Sequence, residues 1–286
     1  MPRSKLLKVG ILNITTHPHS PKKYIELFDD IFELSKIEKI RGSDYGMLYS
    51  LTREKFGESS ILHGTICRFL NIDPNEPWFD TKKVKKLDPK DGTFVVPIPE
   101  NLKPNRRDIV YIFFVDKHRL FIDTDNISIR DAMVLITRLC ANKQIRKKYG
   151  EVVVNIESTK EAIDNILKLK SIRKLEIYFA KPNPDDLAEV EKKIMKRLNK
   201  QNVKKIDEKL ITDDEAGIKP DDETQALMYM ARSNGKVIAT SREDSQTMVI
   251  STKEHPLIET EFYHPERDTV FLAMKRVIGA YLRRKG

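Results

Sequence analysis

The chain has 286 residues, 40% of them hydrophobic and 33% charged, so it is too apolar to be disordered throughout and long enough for one large domain or two ordinary ones. It contains no apolar run approaching the ~20 residues that a membrane-spanning helix needs. Its net charge of +9 favours encounters with polyanions but says nothing about the fold.

The N-terminal half begins with a strand, a turn and a helix. Residues 9–14 predict the strand, and Ser20 followed by Pro21 predicts the start of an amphipathic helix. We expect a cytoplasmic protein, because the basic first residues lead into an apolar run too short for a signal peptide. Cys67 and Cys140 each lie inside an apolar pattern, which favours buried, reduced thiols.

Short apolar or alternating runs then predict strands at 45–51, 61–70, 93–97, 109–115 and 120–122. Between them we interpret residues 73–80 as a proline-rich loop and residues 82–90 as a basic loop. Ser128 predicts the cap of a helix that runs to Lys148 and ends at Gly150.

The second half alternates strands and helices. Ser158 and Glu161 predict a capping box for its first helix. The remaining pattern predicts a strand at 152–156, a strand at 175–180, a helix opening at Asp185, a strand at 203–211, a helix at 221–233, a hairpin across 234–250, a strand at 257–263 and a last helix over 270–281. We therefore expect an α+β fold with a mixed, strand-rich domain at 1–150 and a ferredoxin-like or α/β domain at 151–286.

Enzyme motifs are scarce. There is no Walker loop, no GxGxxG and no GxSxG, so we assign no catalytic residue and expect neither a cofactor nor a metal. The alternative worth naming is a metal-dependent nuclease toxin, for which Asp116, Asp123, Glu157 and Lys160 lie near predicted strand ends.

Basic residues are clustered, which suggests contacts with nucleic-acid phosphates. The candidates are Lys82, Lys83, Lys85, Lys86, Arg138, Lys143, Arg146, Lys147, Lys148, Arg283 and Arg284. Complementing a helix dipole would explain the sign of the charges at 146–148 and 283–285 but not the basic loop. No motif for base-specific reading is present, so we expect sequence-tolerant binding.

A protein partner is the third hypothesis. Trp78 and Phe79 would be its anchor, because aromatic residues dominate binding hot spots. Packing of these rings into the core is the plainer alternative.

Two resemblances add to this interpretation. The segment VGILNITTHPHSP at 9–21, with Arg41-Gly42, Tyr45-Gly46, 73–80 and PENLKP at 99–104, resembles an uncharacterised bacterial family found near mobile elements and defence loci. That resemblance covers nearly the whole chain and implies no catalytic residues.

Residues 152–211, followed by DDEAG at 213–217, resemble the corresponding half of RexA-like phage-exclusion proteins and of KwaB in the Kiwa defence system. That resemblance implies a dimer that binds double-stranded DNA with little sequence preference and acts with a membrane or defence-system partner. The function expected from the sequence is therefore a DNA-binding sensor or effector of anti-phage defence.

Overall fold

The computed structural model describes residues 4–91, 97–181, 189–243 and 246–285. They form a nine-stranded antiparallel sheet between two helical layers and a four-stranded antiparallel sheet with helices on one face. The predicted α+β fold is confirmed.

The first half consists of β1 (Lys5–Thr15), α1 (Pro21–Leu34), β2 (Glu38–Arg41), β3 (Asp44–Leu48), β4 (Thr52–Phe56), β5 (Ser59–Leu70), β6 (Trp78–Asp80), β7 (Lys85–Leu87), β8 (Arg107–Phe114), β9 (Arg119–Asp123), α2 (Ile129–Cys140) and α3 (Lys143–Tyr149). The second half consists of β10 (Val153–Ile156), α4 (Lys160–Leu167), β11 (Ile172–Ala180), α5 (Glu189–Lys200), β12 (Lys205–Ile211), α6 (Asp222–Asn234), β13 (Gly235–Glu243), β14 (Gln246–Ser251), β15 (Ile258–Tyr263) and α7 (Val270–Lys285).

Strand β1 organises the first sheet. It pairs with β9 along one edge, while its other edge pairs with β15 through residues 5–10 and with β10 through residues 12–15. The strand order is β10-β1-β9-β8-β5-β3-β2, with β4 and β15 joined beside this path. One strand thus ties the start of the chain to segments from its middle and its end.

Both faces of β1 are buried, which accounts for its nearly continuous apolar sequence. Leu12 and Ile14 face the core beneath α1, α2 and α3. Val9 and Ile11 point the other way, into the core beneath α7. Side chains alternate along a strand, so adjacent apolar residues here supply two different cores.

The second sheet has the order β12-β11-β13-β14. Leu175, Ile177 and Phe179 of β11 are buried with apolar residues of α4, α5 and α6. The residues between them, such as Glu176 and Tyr178, lie on the opposite face and are half-buried. This alternation is typical of a sheet with helices on one side only.

Three elements after residue 150 belong to the first sheet or its cover. The sequence pattern groups the strand at 152–156 with the second half, but β10 pairs with β1, as does β15, and α7 packs on the same sheet. Sequence periodicity specifies which residues form a strand but not its partner. The division into domains at 1–150 and 151–286 stays a prediction.

Three local predictions need correction, and two strands were not predicted. The helix predicted to run from Ser128 to Lys148 is two helices, because Asn142 caps α3 and interrupts the run. Thr159, rather than Ser158, caps α4. The two segments predicted as loops at 73–80 and 82–90 contain β6 and β7, which pair with each other. The sequence pattern gave no sign of the short strands β2 and β4.

Two further predictions concern residues outside the described ranges. Of the strand predicted at 93–97 only residue 97 is described, and the helix start at Asp185 is not described at all.

Replacing Gly64 with Ala should destabilise the first sheet. A Cβ at this position of β5 would lie 2.0 Å from the backbone oxygen of Ser50, which accepts a hydrogen bond from the hydroxyl of Tyr111. Either the backbone or that hydrogen bond must give way, so we expect a loss of about 2–3 kcal/mol in urea unfolding.

Gly279→Ala in α7 is the matched control. Its Cβ would meet only the flexible end of Arg283, at 3.6 Å. Alanine is the better helix former, so this variant should gain about 0.5–1 kcal/mol. Equal stabilities for the two variants would contradict the packing described for Gly64.

Candidate functional site

The predicted basic loop is the tip and second strand of a hairpin. Lys82 and Lys83 lie in the turn between β6 and β7, and Lys85 and Lys86 lie on β7; all four side chains are exposed. The carboxylate of Asp80 accepts hydrogen bonds from the backbone N–H groups of Lys82 and Lys83. The lysine charges therefore extend from an ordered turn.

The two aromatic residues of this hairpin point to different surroundings. Trp78 is half-buried and its indole N–H donates to the carbonyl of Pro74 at 3.2 Å. Phe79, the next residue, is 57% exposed. Phe79 is therefore available to a partner, while Trp78 is partly committed to the protein itself.

Helix α3 presents a second group of cations. Lys143, Arg146 and Lys147 follow i, i+3, i+4 spacing on the side away from buried Ile145 and Tyr149. Within the described part of the chain, no carboxylate lies at ion-pair distance from these three side chains, and all are exposed. Their charges can therefore act on an external ligand.

The neighbouring cations Lys148 and Arg138 each have a partner within the protein. The Lys148 ammonium lies 2.7 Å from the Asp30 carboxylate, and this hydrogen bond raises the pKa of Lys148. Arg138, in the last turn of α2, donates to the carbonyl of Lys39. Sequence proximity alone could not separate these two residues from the available cations of α3.

The C-terminal cluster is also largely paired within the protein. Arg284 lies 2.6 Å from Glu259, and Lys275 and Arg276 make ion pairs with residues of β4 and β15 and with Asp268. Arg283 is exposed. The charges of α7 thus hold this helix against its own sheet as well as complementing its dipole.

Sequence reasoning missed a buried polar cluster where the two sheets meet. Glu157 follows β10, has no exposed surface, and accepts hydrogen bonds from Arg119 and from the hydroxyl of Tyr281, both at 2.9 Å. Arg119 also donates to Asn13 at 2.6 Å. The side-chain amide of Asn13 in turn donates to Ser233 and Asn234 at the end of α6.

Opposite charges set the electrostatics of this cluster. Burial opposes the charge of Arg119, but Glu157 holds the pKa of that guanidinium above its ordinary value. Burial, with Arg119 beside it, lowers the pKa of His118 to about 2, so this imidazole is neutral in the folded protein. Its Nδ1 lies 2.8 Å from Oδ1 of Asn13.

His19 connects the cluster to the segment at 9–21. Its ring is 5.3 Å from that of His118 and its Nδ1 lies 3.4 Å from the hydroxyl of Tyr24. His17 lies next to the carbonyl of Lys181. The segment at 9–21, one of those that carry the whole-chain resemblance, therefore lies at the junction between the sheets.

The nuclease candidates do not form a metal site. In the described ranges, no three His, Cys, Asp or Glu side chains are grouped so as to hold an ion. Glu157 is bound to Arg119 and Tyr281, and Asp123 is buried with its carboxylate on the N–H of Asp125. The hydrogen bonds described for Glu157 come from Arg119 and Tyr281, not from Asp116 or Lys160.

Comparison with known proteins now places the chain in a family. A family model described as a domain of unknown function, DUF4747, matches residues 5–279. The chain belongs to the DUF4747 family. This confirms the predicted membership of an uncharacterised whole-chain family; the resemblance to RexA-like proteins stays a prediction.

No curated protein matches the DUF4747 chain. Among solved structures, a PDZ domain protein from Parabacteroides distasonis ATCC 8503 aligns with 92% of this chain and 73% of its own, at 9% identity and a TM-score of 0.13. No helix in the described ranges is both long and apolar enough to cross a membrane.

His118 should make the stability depend on pH. Its pKa falls from 6.5 to about 2 on folding, so the unfolded chain binds more protons between these values. The contribution of His118 to the free energy of unfolding is complete above pH 6.5 and is lost as the pH falls below that value. Between about pH 6 and 4, the wild type should lose about 1.4 kcal/mol per pH unit more than His118→Asn in urea unfolding.

His264→Asn, at an exposed histidine, is the control and should keep the pH dependence of the wild type. If His118→Asn has the same dependence as the wild type, His118 is not held neutral by the fold.

Proposed function

We propose that this DUF4747 chain binds double-stranded DNA through its phosphates, with little sequence preference. The observation that carries the proposal is the group of three cations on α3, which are exposed and have no internal carboxylate partner among the described residues. Surface cations near phosphates release condensed counterions, and the gain grows with their number.

The division of the other cations supports the proposal. Lys148 and Arg284 are paired with carboxylates, so they contribute to the net charge but less to any surface field. Lys143, Arg146 and Lys147 keep their full field toward solvent, as do the lysines of the β6–β7 hairpin. A polyanion could therefore reach these seven exposed cations directly.

The biological setting in the proposal comes from resemblance. RexA-like proteins and KwaB act against phages, so we place this chain in the cytoplasm as a homodimeric sensor or effector of antiviral defence that acts with a membrane or defence-system partner. Deleting the gene should then raise the efficiency of phage plating, and the α3 variant described next should fail to restore protection.

Neutralising α3 should weaken DNA binding. For Lys143→Gln/Arg146→Gln/Lys147→Gln we expect a lower affinity for a duplex of arbitrary sequence in mobility-shift titrations at several salt concentrations. The slope of log affinity against log salt should fall by about 0.9 for each phosphate that the variant no longer neutralises.

The matched control is Lys193→Gln/Lys196→Gln/Lys200→Gln on α5, which removes the same charge from another exposed helix face. It should bind almost as the wild type does. Equal losses of DNA affinity in the two variants would mean that the α3 variant acts only through the net charge of the protein. Unchanged binding by the α3 variant would contradict the proposed surface. Magnesium-dependent degradation of the probe would favour a nuclease instead.

A further inference from the structure

The β6–β7 hairpin is a small ribbon with two different faces. It forms a two-stranded sheet separate from both larger sheets. Trp78 pairs with Leu87 and Asp80 with Lys85, while Phe79 pairs with Lys86 on the alternate face. Trp78 and Leu87 are half-buried, whereas Phe79 and Lys86 are exposed. The ribbon therefore has an inner face and an outer face.

The tip of the ribbon combines order with exposed apolar surface. Asp80 fixes the turn through the N–H groups of Lys82 and Lys83. Val84 completes the turn in a left-handed conformation, with φ of 49°, and is 76% exposed. A β-branched residue rarely adopts such a φ, because its side chain crowds the backbone there. Stability alone would favour a small or polar residue at this place.

The surroundings of these apolar groups indicate the kind of ligand. Phe79 and Val84 belong to a ribbon that carries four exposed lysines, and the adjacent acid, Asp80, has its carboxylate on the turn. An apolar protein partner would be poorly matched to so many cations, which would lose hydration on burial. A nucleic-acid groove has apolar sugar and base surface between two rows of phosphates. It is therefore complementary to apolar side chains that are flanked by lysines.

We infer that this ribbon enters the major groove of duplex DNA, with its lysines on the flanking phosphates and with Phe79 and Val84 against the base edges. The inference rests on the proposed function and specifies its binding mode. The major groove is about 12 Å wide and accommodates a two-stranded β-ribbon. Apolar contact without a fixed hydrogen-bonding pattern is compatible with sequence tolerance.

Dimethyl sulfate footprinting on a short, saturated duplex tests the inference, because it methylates guanine N7 in the major groove and adenine N3 in the minor groove. The wild type should protect N7 and leave N3 reactive. Phe79→Ala/Val84→Gly should lose the N7 protection and bind about tenfold more weakly, with its salt slope unchanged, because only apolar surface is removed from the interface. Lys82→Gln/Lys83→Gln/Lys85→Gln/Lys86→Gln should lower the salt slope.

Phe262→Ala is the control for removal of an exposed aromatic ring, since Phe262 is 68% exposed on β15. It should leave both footprint and affinity unchanged. Protection of N3 alone, or wild-type footprints from both ribbon variants while duplex binding persists, would overturn the ribbon inference and leave the α3 proposal standing. A wild-type protein that binds no duplex at low salt overturns both, and the ribbon would then be a site for an acidic protein.

Discussion

A carboxylate removed from water must find positive charge inside the protein, and the structure is arranged around Glu157, which finds it in Arg119. The pair lies where β9, the end of β10 and α7 meet, and Asn13 extends it to the end of α6. Loss of Glu157 would remove the carboxylate beside buried Arg119, at a cost of about 3–5 kcal/mol, whereas loss of Arg119 would leave Glu157 with Arg232, 3.6 Å away. Arg232 is on α6, so Glu157 and Asn13 both connect α6 to the first sheet.

This junction also explains the asparagine at position 13 of β1. Asn13 interrupts the apolar run of the strand and is fully buried, yet its amide and carbonyl groups are both used. An apolar residue there would remove one acceptor of the Arg119 guanidinium, which also donates to Glu157 and to the carbonyl of Lys117. The same strand thus supplies two apolar cores and the polar link between the halves.

Local pattern in the sequence predicted most helices and strands, because apolar spacing and caps such as Ser20 act within a few residues. It could not predict that β10 and β15 return to β1, since strand partners depend on contacts far apart in sequence. Glu157 was a nuclease candidate because it follows a predicted strand, whereas Arg119 and Tyr281, which bind its carboxylate, reach it only in the fold. The cations of α3 were identifiable as a cluster, but their separation from Lys148 required the position of Asp30.

The acidic residues near the proposed DNA surface bear on its charge in opposite ways. Asp30 lies beside Lys148 and cancels much of its field. Asp80 instead accepts hydrogen bonds from two backbone N–H groups, so its carboxylate orders the turn that carries Lys82 and Lys83. A lysine held on an ordered turn loses less conformational freedom when it meets a phosphate than one on a mobile loop. An acid inside a basic segment can therefore favour anion binding, provided that the backbone rather than a lysine side chain is its partner.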